Sequence, residues 1–258
     1  DGWRPFIAAA GTAGFFLLLT AQQTIPAFAC GLLAIVVVLP WLWDADRPPP
    51  APQALVARGN GLPVGARHWS ASHAWWAMLV LVAVDMTIFA CFAYAHLHVS
   101  MTADVCPPPG ASLPGLWWST ASALLVLAAA ALSWRAMRSL HSAQPRKQRG
   151  LRAKVMLALG CVAASFALDG AAHARAGLDA DAHAWGASVA TLLGYQGLHA
   201  LLLLMMGGFV LVRSWSGCLQ PMARSALDNM VPMACCVAAQ GVLGMLAVQL
   251  APRLSAIV

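Results

Sequence analysis

The sequence alternates between long apolar runs and short polar segments. Because about 20 mainly apolar residues cross the hydrocarbon core of a bilayer as a helix, seven of these runs predict membrane-spanning helices. The runs cover roughly residues 5 to 22, 25 to 43, 73 to 98, 116 to 134, 155 to 171, 187 to 212 and 229 to 250. The first run has the length of a signal peptide, but it lacks a basic n-region and a small-residue cleavage site. We therefore interpret it as helix 1.

Composition supports this assignment. The chain has 258 residues, of which 60% are hydrophobic and only 9% are charged, and its mean hydropathy is +0.72. So few charges cannot cover the water-facing surface of a soluble domain of this length. The predicted fold class is an all-α membrane protein with seven transmembrane helices.

One polar segment is much longer than the others. Residues 44 to 70 are rich in Pro, Gly and Ala and predict an extended surface linker in the cytoplasm. This linker divides the chain into a two-helix transmembrane unit, residues 1 to 43, and a five-helix transmembrane bundle, residues 71 to 258. The two units leave room for a cleft between them.

Basic residues predict the orientation of the helices. With seven spans, the N-terminus and the loops on its side of the membrane hold 13 of the 15 Lys and Arg residues, and the other side holds Arg175 and Arg253. Since cytoplasmic loops are enriched in Lys and Arg, the N-terminus is predicted in the cytoplasm and the C-terminus outside. The net charge of +6 then reflects topology and lipid headgroups, and we expect no nucleic-acid partner.

Polar side chains within the spans are the candidate functional residues. Asp85 lies near the middle of helix 3, His199 near the middle of helix 6 and Gln240 near the middle of helix 7. An unpaired Asp at the bilayer centre costs about 2.5–3.5 kcal/mol on insertion scales. The neighbours of Asp85 one turn away on helix 3 are all apolar, so its partner must come from another helix, and His199 or Gln196 is expected. A hydrogen-bonded neutral acid and a proton relay or ion site both remain open for Asp85.

Haem, metal and catalytic motifs are not evident. A bis-His haem needs facing His pairs deep within two helices, and only His199 is deep, whereas His98 lies at the outer end of helix 3. The seven cysteines contain no C-x-x-C, and the vicinal pair Cys235 and Cys236 has no further ligands nearby in the sequence. There is no Gly-rich phosphate loop, nucleophile elbow or H-E-x-x-H. We expect no catalysis by this chain alone.

A series of short motifs appears in a distinctive order. The chain begins with "DGWRPF" and ends helix 2 with "WLWD", and helix 3 carries Asp85, Phe89 four residues later and His98 thirteen residues later. The loop "VCPPPGASLPG" and the helix 4 start "LWWSTASALL" follow, and helix 6 contains "WGASVATLLGYQGLHALL". From about residue 2 to residue 253, this order and spacing resemble subunit III of the haem–copper cytochrome c oxidases, including the subunit III-like part of fused I/III chains.

The sequence departs from that family at several positions. Asp85 stands where the family usually has Glu, and Asp169 replaces a second acid near the end of helix 5. In helix 6, His199 matches the second of two family His residues and Gln196 replaces the first. Helix 7, "MACCVAAQGVLGM", lacks the Trp-His pair and the later Asp of many members.

The resemblance implies a non-catalytic subunit of a bacterial aa3- or caa3-type oxidase in the inner membrane. Haem and copper are then expected in the partner subunits I and II, not in this chain. Bound phospholipid is expected in the cleft between the two units, and the family also supports proton uptake and durable turnover. A polytopic transporter and, behind it, a b-type cytochrome are the alternatives. The candidate buried polar residues with a structural role are Asp85, His199, Gln196, Gln240, His98 and Asp169.

Overall fold

The computed structural model describes residues 2–45, 73–103, 105–140, 145–217, 219 and 225–250. Seven α-helices account for nearly all of these described residues. They are α1 (Trp3–Thr20), α2 (Thr24–Ala45), α3 (His73–Thr102), α4 (Leu116–Leu140), α5 (Pro145–Arg175), α6 (Ala184–Trp215) and α7 (Ser225–Met245). A π-helical turn, Leu246–Leu250, follows α7 directly.

The prediction of an all-α fold with seven spans is confirmed. All seven helices are long and apolar enough to cross a membrane. Several extend beyond the apolar runs, most clearly α5, which begins at Pro145, whereas its apolar run was predicted to begin near residue 155. Hydropathy marks only the part of a helix that lies in lipid. The basic segment before that part also forms helix, because its Arg, Lys and Gln residues favour this conformation.

The chain divides into two compact units, Asp1–Gly61 and Leu62–Val258. In the first unit, α1 and α2 pack against each other. A Cβ atom on Gly11 would lie only 3.0 Å from the carbonyl oxygen of Cys30, so the small residue permits close approach of the two backbones. Apart from its first two residues, the predicted linker lies outside the described residues.

Helix α7 is at the centre of the second unit, where it packs against α3, α4 and α6. About 61% of its membrane-spanning window is buried, compared with 11% for α3. Helices α4 and α5 are joined by two serines that bond reciprocally: Ser122 Oγ donates to the Ser165 carbonyl oxygen at 3.1 Å, and Ser165 Oγ donates to the Ser122 carbonyl oxygen at 3.0 Å. Such bonds between helices stabilise packing where the surroundings provide no water.

Large apolar side chains cover the outward faces of the helices. On α3, the exposed residues Val80, Leu81, Val84 and Ile88 recur at helical spacing and form one stripe. In water such a surface would promote aggregation, whereas a bilayer or a membrane partner can cover it. The helices that bury the polar side chains therefore present apolar residues outward.

Candidate functional site

Asp85 and His199 form an ion-pair contact in the interior of the five-helix unit. His199 Nε2 lies 3.2 Å from Asp85 Oδ2, and the side chains are 3% and 18% exposed, respectively. The hydroxyl group of Tyr195 approaches the same acid, at 3.2 Å from Oδ1 and 3.4 Å from the backbone carbonyl oxygen of Asp85. The sequence suggested His199 or Gln196 as the partner of Asp85, and in the structure that partner is His199.

The helix geometry explains why these groups converge. Tyr195 and His199 are four residues apart, so they project from the same face of α6 toward α3. Phe89, one turn beyond Asp85 on α3, is fully buried and stacks on the Tyr195 ring with centroids 6.4 Å apart. Phe92 packs edge-on against the same ring at 5.3 Å. These aromatic contacts fix the position of the Tyr195 hydroxyl beside the acid.

The hydrogen bonds assign a single proton to the contact between Asp85 and His199. Nδ1 of His199 lies 2.9 Å from the carbonyl oxygen of Tyr195, which can only accept, so Nδ1 carries a hydrogen. The approach of Nε2 to Oδ2 then requires one further proton, on either the imidazole or the carboxyl group. In both cases the pair has no net charge, which is the arrangement that a low-dielectric interior favours.

Helix α7 contributes Cys236 and Gln240 beside this pair. Gln240 is fully buried, and its Nε2 donates to the sulfur of Cys236 at 3.6 Å. The thiol in turn lies close enough to Asp85 for an electrostatic interaction. Gln240 is therefore linked to the surroundings of Asp85 through the Cys236 thiol.

Gln196 is directed toward α7. A Cβ atom on Gly241 would lie 3.2 Å from Gln196 Nε2 and 2.9 Å from a methyl group of Val126. Only glycine at position 241 leaves room for the buried amide and for the valine of α4 together. Gln196 thus occupies a position between the Asp85 site and a second polar group nearer the ends of α5 and α7.

Asp169 belongs to that second group. It pairs with His173 one turn later on α5: Nδ1 of His173 lies 2.9 Å from the Asp169 carbonyl oxygen and 3.5 Å from Oδ1. His98 differs from the other candidates because its side chain is exposed, and it stacks on Tyr94 with centroids 6.4 Å apart. Sequence analysis grouped His98 with the buried residues, yet its face of α3 points away from the packed helices.

Sequence analysis missed three polar residues of the interior: His96 and His173 are buried, and Tyr195 is half-buried. Tyr195 precedes His199 by one turn on α6, and His173 follows Asp169 by one turn on α5, so their spacing from the candidate residues was the available signal. His96 is fully buried and its Nδ1 lies 2.9 Å from Ser188 Oγ on α6. His96 follows Asp85 by eleven residues, which is about three helical turns. This spacing places the two residues on the same face of α3, and that face packs on α6.

The site can hold and exchange a proton, and it can join helices. Within the part of the chain that the structure describes, no group of three or more His, Cys, Asp or Glu side chains has an arrangement that could hold a metal ion. The Asp85 site instead consists of one acid, one imidazole, one phenol and one thiol on three helices. Its chemistry is that of an internal hydrogen-bonded cluster.

The fold and the site define a class: this chain is a multi-pass, seven-helix membrane protein with a polar cluster inside its five-helix unit. Comparison of the sequence with models of known protein families and with curated proteins gives no match.

Proposed function

We propose that this chain is a non-catalytic subunit of a haem–copper terminal oxidase in a bacterial inner membrane, in the position of subunit III. In this role it stabilises the core subunit and supports proton uptake, while subunits I and II carry the haem and copper and transfer electrons to O2. Its other ligands are membrane phospholipids, and nucleic acid is not among its partners.

The contact between Asp85 and His199 carries the proposal. The resemblance rests on motifs distant in the sequence, chiefly the helix 3 acid and the second His of helix 6. Nothing in the order of motifs requires these two residues to touch, and they lie 3.2 Å apart. The contact supports the proposal because it joins two of the residues on which the resemblance rests.

The apolar surface of the first unit also supports an accessory role. Only 11% of the spanning window of either α1 or α2 is buried, and Trp3, Phe6, Phe16 and Phe28 are each more than half exposed. Aromatic and apolar surface of this kind suits a partner helix or lipid. The chain is thus well suited to pack against a larger membrane subunit.

Mild extraction of the tagged chain from its native membrane tests the proposal. We expect it to co-purify with a haem-rich partner that reduces O2, and we expect the isolated chain to be colourless. An Asp85→Leu chain should leave the complex more readily, so the oxidase should lose activity sooner during turnover. Asp181→Asn, which changes an exposed acid, is the matched control. Recovery of a lone chain, or a Soret band from the isolated chain, would contradict the proposal.

A proton-coupled transporter is the second candidate, because ionisable pairs inside a membrane bundle are typical of proton relays. Two Asp–His pairs, at Asp85 and Asp169, are the observation in its favour. Liposomes that contain only this chain test for transport of a labelled solute. Solute uptake that Asp85→Asn abolishes would support a transporter over the oxidase subunit. A haem-binding chain, the remaining alternative, is distinguished by the Soret measurement.

A further inference from the structure

A small cavity with both apolar and polar lining residues lies among α4, α5, α6, the end of α7 and the π-helical turn, separate from the Asp85 contact. Its volume is about 20 Å³. In the predicted orientation, α5 ends and α4 and α6 begin on the outer side of the membrane. We call this end of the five-helix unit the outer end. The polar residues that line the cavity are Ser119, Asp169, His173, Gln196 and Gln249.

Two buried atoms at this cavity have no hydrogen-bond partner among the described residues: Nε2 of His173 and Oε1 of Gln249. Both residues are almost completely buried, at 4% and 1% exposure. The Nδ1 hydrogen of His173 is directed to Asp169, so Nε2 of the neutral ring is an acceptor. Gln249 donates its amide group to Ser119 Oγ at 2.9 Å, which leaves its carbonyl oxygen as an acceptor. A buried polar atom without a partner is costly.

The size and polarity of the cavity restrict its ligand. A cavity volume of roughly 10–15 Å³ is enough for one water molecule. The acid of Asp169 on the wall disfavours an anion, and hard cations such as Na⁺ prefer several oxygen ligands to an imidazole nitrogen. Water can donate to two acceptors at once, and it can also accept from His173 if the ring becomes protonated.

We propose that this cavity is a binding site for one water molecule, which donates hydrogen bonds to His173 Nε2 and Gln249 Oε1. The water joins the Asp169–His173 pair of α5 to Gln249, and through Gln249 to Ser119 of α4. It thereby connects three segments of the outer end and gives the buried imidazole a partner for proton exchange. This site does not depend on the oxidase assignment.

Solid-state NMR of the full chain in lipid bilayers tests the site. With ¹⁵N-labelled histidine, the Nε2 signal of His173 is identified by its loss in a His173→Gln chain. We expect that signal to receive magnetisation from protons of a bound water molecule. If Nε2 of His173 in the unsubstituted chain receives none, the proposal is wrong.

Gly244→Ala tests the same site without removing a polar group. The new methyl group would lie 3.7 Å from the Phe89 ring and 3.8 Å from Gln196 Oε1, which are ordinary contacts, so the chain should fold. Because Gly244 also lines the cavity, the methyl group should displace the water and abolish the transfer to His173. Gly160→Ala on α5, where a Cβ meets nothing within 4 Å, is the matched control and should preserve it.

Two further measurements separate the remaining outcomes. Gln249→Met retains the approximate length of the side chain but removes the acceptor, so the water signal should weaken. Addition of Na⁺ in place of K⁺ should leave the His173 resonance unchanged. A sodium-dependent shift of the His173 resonance would overturn the water assignment in favour of a cation. Full retention of the magnetisation transfer to His173 in both Gly244→Ala and Gln249→Met would also contradict the proposal, because the water would then lie elsewhere.

Discussion

Nε2 of His199 on α6 lies 3.2 Å from Oδ2 of Asp85 on α3, and Nδ1 of the same imidazole lies 2.9 Å from the carbonyl oxygen of Tyr195 and donates to it. The contact is therefore neutral as a pair, and each group satisfies the other. Removal of Asp85 should leave Nε2 of the buried His199 without a partner, whereas removal of His199 should leave Asp85 with the Tyr195 hydroxyl group.

Asp85→Leu should lower the free energy of unfolding by about 1–3 kcal/mol, the range for a buried polar group that loses its partner. Asp85→Asn should cost less, since the amide can donate to Nε2 of His199 and accept from Tyr195. Unfolding in mixed detergent micelles measures both. Asp181→Asn, at an exposed position, is the control. Equal stability of Asp85→Leu and the control would show that the pair does not stabilise the bundle.

Tyr195→Phe should lower the free energy of unfolding by less than about 1 kcal/mol. Side-chain hydrogen bonds between helices in membrane bundles average roughly 0.6 kcal/mol. The phenyl ring retains its packing on Phe89 and Phe92. Tyr195→Ala should cost about 3–5 kcal/mol, since it also removes a packed ring. If Tyr195→Phe and Tyr195→Ala lowered the free energy of unfolding by similar amounts, the hydroxyl group and not the ring would provide the stabilisation.

Ser122 and Ser165 should be energetically coupled, because each donates to the carbonyl oxygen of the other and their Oγ atoms are 2.8 Å apart. A double-mutant cycle of Ser122→Ala and Ser165→Ala is expected to give a coupling of about 0.6–1.7 kcal/mol. Thr191→Ala, at an exposed position of α6 where the hydroxyl donates to the Ala187 carbonyl oxygen of the same helix, gives a control pair with Ser165→Ala. Strictly additive effects for Ser122 and Ser165 would contradict the bonding pattern.

Gly186→Ala should destabilise the start of α6 by about 1–3 kcal/mol, the usual cost of forcing extra volume into a packed site. Its Cβ would collide with the backbone carbonyl oxygen of Asp179, which cannot move aside as a side chain can. Gly194→Ala, also on α6, meets nothing within 4 Å and should be neutral or stabilising by up to about 1 kcal/mol. Thermal unfolding of both chains provides the comparison, and equal midpoints would exclude the clash.

The number of helices was predictable because span length and hydropathy are local properties. Their ends were less predictable: the basic start of α5 is helical although its composition is not apolar. Among the candidate residues, the depths of Asp85 and His199 followed from span midpoints. The exposure of His98 did not, because a residue near a helix end can face either the bundle or the surroundings without a change in hydropathy.

Sequence by itself determined seven apolar spans and an acid near the middle of the third, since both depend on runs of adjacent residues and the thickness of a bilayer. Tertiary structure decided that His199 is the partner of Asp85 and that Gln196 turns toward Gly241. It also decided that Asp169 and Gln249 meet at one cavity. These relations depend on the rotation of each helix about its axis, which is set by the packing of side chains from other helices and not by any single span.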